Sequence, residues 1–155
     1  SVLFYANLKI FISQTVLTSM PQDFNKLQVY LDAYSLSKEI YKSIRAVKGH
    51  FRLKEQLFGS ATSIAANLAE MAAMDNRNQQ AQKVRICLGE CNETEFWLNF
   101  CKDTGLIDTD ICQAYVAKMR KIRMMLFGLL EKIKLAKKTN TTIDHKTENG
   151  EPKTY

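Results

Sequence analysis

FRLKEQLFGSATSIAANLAEM, residues 51–71, decides the fold. Leu53, Leu57, Ala61, Ile64, Leu68 and Met71 recur at steps of three and four, the spacing that stacks side chains on one face of an α-helix. Asn67 and Glu70 are set into the same run. Polar groups among aliphatic ones cost free energy unless they are hydrogen-bonded, so their placement needs a use.

The pattern repeats on both sides of this stretch. Asp23 is positioned to cap a helix from about Phe24 to Val47, with Leu27, Leu31, Tyr34, Tyr41 and Ile44 on one face, and Gly49 with His50 stops it. The second helix continues to about Ala73 and dissolves into the polar cluster MDNRN. The third spans about Asn78 to Asp103 and aligns Val84, Leu88, Cys91, Leu98 and Cys101, with Glu95 inside the same stripe; Gly105 ends it. Asp108 caps the fourth, and Asp110 in its first turn meets the positive end of the helix dipole. Tyr115, Met119, Ile122, Leu126, Leu129 and Ile133 then keep a seven-residue pattern toward Lys138. Loops of a few residues can only return the chain beside itself. The expected fold is therefore all-α, an antiparallel up-down-up-down four-helix bundle over residues 23–138. Residues 1–22 are expected to be an N-terminal extension docked on the bundle or at a subunit contact. Residues 139–155, polar and without periodicity, are expected to form a disordered tail.

A chain of 155 residues with two prolines and six glycines suits one domain that buries a core without metal or disulfide help. Cys87, Cys91, Cys101 and Cys112 fall at helical rather than CxxC spacings and read as small buried apolar groups in a reducing, cytoplasmic setting. The apolar N-terminal twenty residues carry the single charge Lys9 and lack a basic leader, and their longest uncharged run is too short to span a bilayer, so neither a signal peptide nor a membrane anchor is expected.

Reaction chemistry finds little to work with. A carboxylate-bridged di-metal bundle needs Glu-x-x-His pairs, yet the histidines are His50 and His145, in a loop and in the tail. Glycine-rich phosphate loops do not occur, and a cysteine or serine nucleophile has only His50 as a base. No enzyme, metal or cofactor is expected. Gln56, Asn67 and Glu70 on helix two, with Glu93 and Glu95 on helix three, instead read as a polar network between antiparallel neighbours that fixes register.

Charge is unevenly placed. The net charge is +6, and residues 111–138 alone hold eight basic residues against the single acid Glu131. With Ile122 at the centre of the buried stripe, Lys118, Lys121 and Lys132 project to one flank, Arg123 and Lys134 to the other, and Arg120 and Lys138 outward. This distribution suits either a solvated helix face or a phosphate-binding surface, and repeated by an oligomer it favours nucleic acid. The face carries little aromatic interleaving, so stacking on unpaired bases is not expected from it.

The order LQVYLDAYSLSKEIY, then FRLKEQLFGSATSIAANLAE, then VRICLGECNETEFWLNFCKDTGLI resembles the 23S rRNA intervening-sequence proteins. Leu27, Val29 and Tyr30 fit that family's opening. Gln56, Ser63, Ile64, Asn67, Ala69 and Glu70 fit its second stretch, and Leu88, Gly89, Glu93, Glu95 and Leu98 its third. Met71 stands where relatives carry glycine, Glu90 where they carry serine, and Phe58 and Gly59 where they carry basic residues. The resemblance implies a homo-oligomeric bundle, commonly a homopentamer, without a settled activity. It also implies kinship to the accessory variability determinant of diversity-generating retroelements, which binds nucleic acid and a reverse transcriptase.

Overall fold

The computed structural model describes residues 23–147, with side chains to Ala136. A 3₁₀ turn, Phe24–Lys26, precedes four α-helices: α1 (Gln28–Arg45), α2 (Phe51–Ala72), α3 (Arg77–Asp103) and α4 (Thr109–Thr147). Consecutive helices pack on one another, α4 closes on α1, and the diagonal pairs do not approach one another. The four-helix antiparallel bundle expected from the periodicity is thus the observed fold.

Local chemistry sets the boundaries. Asp23 accepts a hydrogen bond from the Asn25 N–H, but it caps the 3₁₀ turn rather than α1. Leu27 is extended at φ −81° and ψ 112°, which interrupts the predicted Phe24 start. Asn76 caps α3 by accepting from the N–H groups of Asn78 and Gln79, and Asp108 caps α4 by accepting from those of Asp110 and Ile111. Gly49 at φ +71° and His50 at φ +52° make the α1–α2 turn, where only the glycine adopts the left-handed region without steric cost. The fourth helix runs through Thr147, beyond the end expected at Lys138, because no glycine or proline interrupts it before Gly150. Residues 139–147, expected to be disordered, are thus helical. The extension over residues 1–22 and the last residues, 148–155, lie outside the described residues.

The core is built from Leu36, Ile40, Leu57, Ile64, Leu68, Val84, Leu98, Met119, Ile122 and Leu126, all but fully buried. The stripes expected on α2, α3 and α4 face it, with Leu53, Leu88 and Leu129 at its edge. On α1 the expected stripe is corrected. Val29, Ala33, Leu36, Ile40 and Ile44 are buried, whereas Leu31, Tyr34 and Tyr41 are exposed. All four cysteines are free and buried, as expected of apolar fillers. Burial pushes their thiols up, Cys87 and Cys91 to about 12 and Cys101 to about 11. No helix among the described residues is long and apolar enough to cross a membrane.

Candidate nucleic-acid interface and polar network

The polar network expected between α2 and α3 divides into separate contacts. Asn67 donates through Nδ2 to the Ser63 carbonyl at 2.9 Å and accepts from Lys83 Nζ at 3.1 Å; the same ammonium pairs with Glu70. Lys83, on α3, is therefore the member that joins Asn67 to Glu70. Glu93 is exposed and accepts from Trp97 Nε1 at 3.2 Å, a contact within its own helix. Gln56 is exposed and takes part in none of these contacts. The deeply buried polar contact across α2 and α3 is instead Thr94 with Ser60, whose hydroxyl oxygens lie 2.9 Å apart.

Glu95 faces α4, not α2. Its carboxylate accepts from Arg120 at 3.0 Å and from Arg123, and its side chain is 16% exposed. Burial pushes the Glu95 carboxyl up, but the hydrogen bonds and charges of Arg123 and Arg120 outweigh it and hold the group below the usual carboxylate range.

Lys118 and Lys121 lie on one flank of α4 and Arg123 on the other, whereas Arg120, expected to point outward, joins Arg123 on the α3 side, and each flank meets an acidic neighbour. Toward α1, Lys118 pairs with Glu39 at 2.5 Å and Lys121 with Asp32 at 3.4 Å. These two pairs line a cleft of about 200 Å³, below the size of a usual small-molecule site. Tyr115 braces the same seam, its hydroxyl 2.8 Å from Ser43 Oγ and donating to the Glu39 carbonyl at 3.1 Å. Toward α3, Arg120 and Arg123 hold Glu95. Lys134 pairs with Glu131 one turn earlier at 2.6 Å. Lys132 is exposed and joins no ion pair among the described residues, and the side chain of Lys138 lies outside them. A cation facing a carboxylate is a weaker phosphate ligand than an unpaired one, so pairing removes much of the apparent basic face.

Positive charge without such compensation gathers where sequence reading did not look. Lys38, Lys42, Arg45, Lys48 and Arg52 surround the second half of α1 and the turn into α2, and none forms an ion pair among the described residues. Exposed aromatic rings accompany them. Tyr41 lies 5.4 Å from Phe58 between ring centroids, and Lys38 Nζ sits 4.7 Å from the centre of the Tyr34 ring. Further exposed apolar side chains are Phe96 and Phe100 on α3, with ring centroids 6.5 Å apart, and Met124 and Phe127 on α4. The spacing of Lys38, Lys42 and Arg45 was available in the sequence. It was overshadowed by the longer basic run on α4.

No curated protein matches the chain. A crystal structure of a Bacteroides thetaiotaomicron protein, described as of unknown function and from the S23 ribosomal protein family, matches with a TM-score of 0.62. The two are 24% identical, and the match covers 66% of this chain and 95% of the other. That likeness establishes the fold. The family model described as 23S rRNA-intervening sequence protein matches residues 25–128, two thirds of the sequence and every helix of the bundle. The chain belongs to the 23S rRNA-intervening sequence protein family.

Proposed function

We propose that this protein is a non-catalytic bundle that assembles with copies of itself and binds nucleic acid, most simply RNA, through the phosphate backbone. The observation that carries the reading is the uncompensated cluster Lys38, Lys42, Arg45, Lys48 and Arg52. Surface cations released from intramolecular partners exchange counterions for phosphates, which gives affinity that falls steeply with salt. The family's name, tied to 23S rRNA, agrees with an RNA ligand.

Affinity for a structured RNA is expected to drop by a factor on the order of 10² to 10³ between roughly 50 and 200 mM salt if four or five phosphates are contacted. Replacing Lys42, Arg45, Lys48 and Arg52 by Gln should flatten that dependence more than replacing Lys118 and Lys121, which already hold Glu39 and Asp32. Affinity indifferent to salt and to both sets of substitutions would refute the reading.

The exposed Phe96, Phe100, Met124 and Phe127 favour a protein contact on α3 and α4, which we assign to self-association. An accessory role to a reverse transcriptase would use the same apolar face. Co-purification of such an enzyme, lost when Phe127 is replaced by Glu, would favour that role over self-assembly.

A further inference from the structure

We propose that the outer face of α1, with the adjoining flank of α2, is a binding track for single-stranded nucleic acid in which Tyr34 and Tyr41 stack on bases and Lys38, Lys42 and Arg45 hold phosphates. The inference rests on the nucleic-acid reading above and adds the strandedness of the ligand.

The face is defined by helix geometry. Tyr34, Lys38, Tyr41, Lys42 and Arg45 follow one another at steps of four, three, one and three, all are exposed, and they lie beside and beyond the buried stripe of Leu36, Ile40 and Ile44. Two tyrosines so placed are both 48% exposed, an unusual degree for rings that the sequence could have buried in the core stripe beside them. Seven residues separate them, about 10 Å along the axis at 1.5 Å per residue, with Lys38 between. Ring, cation and ring thus alternate along α1 as base and phosphate alternate along an unpaired strand.

The rings are already ordered by their neighbours, which lowers the entropy lost on binding. Tyr30 stacks on Tyr34 with centroids 5.9 Å apart and planes 9° from parallel, and Phe58 supports Tyr41. Lys38 covers the free face of Tyr34, and its flexible side chain need only swing aside to exchange the ring for a phosphate, leaving that face open to a base. A duplex keeps its base faces stacked internally, so it can use the cations but not the rings. A second copy of the same face would bring like charges together, which makes self-contact here unfavourable.

The test compares a fluorescein-labelled oligouridine of about 15 nucleotides with an RNA duplex of the same length, both titrated with the full chain at 100 mM salt. The strand is expected to bind at least tenfold more tightly than the duplex. The double variant Tyr34→Leu and Tyr41→Leu should weaken strand binding by about tenfold or more and leave duplex binding unchanged, since each stacked base contributes on the order of tenfold. Tyr34→Phe with Tyr41→Phe should bind as the native chain does. Photo-crosslinking of a 5-bromouridine strand to the native protein gives a readout that no misfolded variant can confuse, and adducts are expected at Tyr34 or Tyr41. Equal, salt-dependent binding of strand and duplex, adducts confined to α4, or a Leu variant that binds normally would overturn the inference while leaving backbone binding intact. An altered oligomer mass in the Leu variant, with adducts absent from α1, would overturn it in favour of a self-contact. Failure to bind either nucleic acid would remove both readings.

Discussion

Glu95 is the one carboxylate among the described residues that pairs with two cations, and its setting makes it a stability determinant. Removing its charge leaves Arg123, three-quarters buried, without a counterion, and Arg123 Nε already lacks a hydrogen-bond partner. Glu95→Gln is expected to destabilise the bundle by roughly 1.5–3 kcal/mol, the range for hydrogen bonds to charged groups. Because the folded-state carboxyl is held low, its stabilisation is complete above the ordinary glutamate value near 4.3 and is lost as pH falls through the lower folded value. Melting curves should show a gap between native and Glu95→Gln proteins that is constant above about pH 5 and narrows as the solution is made more acidic. A gap that persists in acid would mean that the pair is not what separates them. The buried Thr94 hydroxyl makes a smaller contribution. Thr94→Val keeps the shape but leaves Ser60 without that contact, and should cost about 1 kcal/mol by denaturant titration. The cysteines answer to the same burial. Thiols raised to about 12 are almost wholly protonated at pH 8, so Cys87 and Cys91 should resist iodoacetamide until the chain is unfolded. Rapid labelling of the native protein would contradict their burial.

At the scale of the element, α1 shows why periodicity is easier to read than orientation. It carries two apolar stripes, Val29, Ala33, Leu36, Ile40 and Ile44 at steps of three and four, beside Tyr30, Tyr34 and Tyr41 at steps of four and seven. The larger rings drew the assignment, but the smaller set lets neighbouring helices approach and is the one buried. Ile40→Ala is accordingly expected to cost about 2–5 kcal/mol, and Tyr41→Ala about 1 kcal/mol or less, measured as shifts in denaturant midpoint. Equal costs would reverse the assignment of faces. The polar residues show the same limit. That Asn67 and Glu70 need partners was legible in the sequence; which partners they take depends on hairpin register. In an antiparallel pair turning near Asp75, Asn67 must face residues near Lys83, whereas Glu93 and Glu95 lie opposite the start of α2. Turning near Leu106, α4 then brings Arg120 to Glu95. Counting from the turns identifies these contacts, and matching residue types alone does not. For α4 the charge count was legible but its neutralisation was not, because Asp32, Glu39 and Glu95 come from helices distant in sequence.

For the whole molecule, the exposed groups fall on two unlike faces, and this asymmetry governs how copies can meet. The α1 face joins rings to unpaired cations, whereas Phe96, Phe100, Met124 and Phe127 are exposed apolar groups on α3 and α4, where the α4 cations Arg120 and Arg123 are held by Glu95. Association through the apolar face removes ring and thioether surface from water at roughly 25 cal/mol per Å², and it leaves the cations pointing outward for a ligand. An assembly built this way repeats the α1 face once per subunit, so a single strand that spans two faces gains effective concentration as well as contacts. Light scattering is expected to give a mass several times the 17.8 kDa of one chain. Met124→Glu with Phe127→Glu should reduce that mass to one chain while far-ultraviolet circular dichroism stays helical, since both side chains lie outside the core. The dissociated variant should also bind a long single strand more weakly than the native protein and a short one about equally, which separates lost avidity from a damaged site. A variant that keeps its mass would move the assembly surface elsewhere, and one that loses both long- and short-strand binding would show that the apolar face itself touches the ligand.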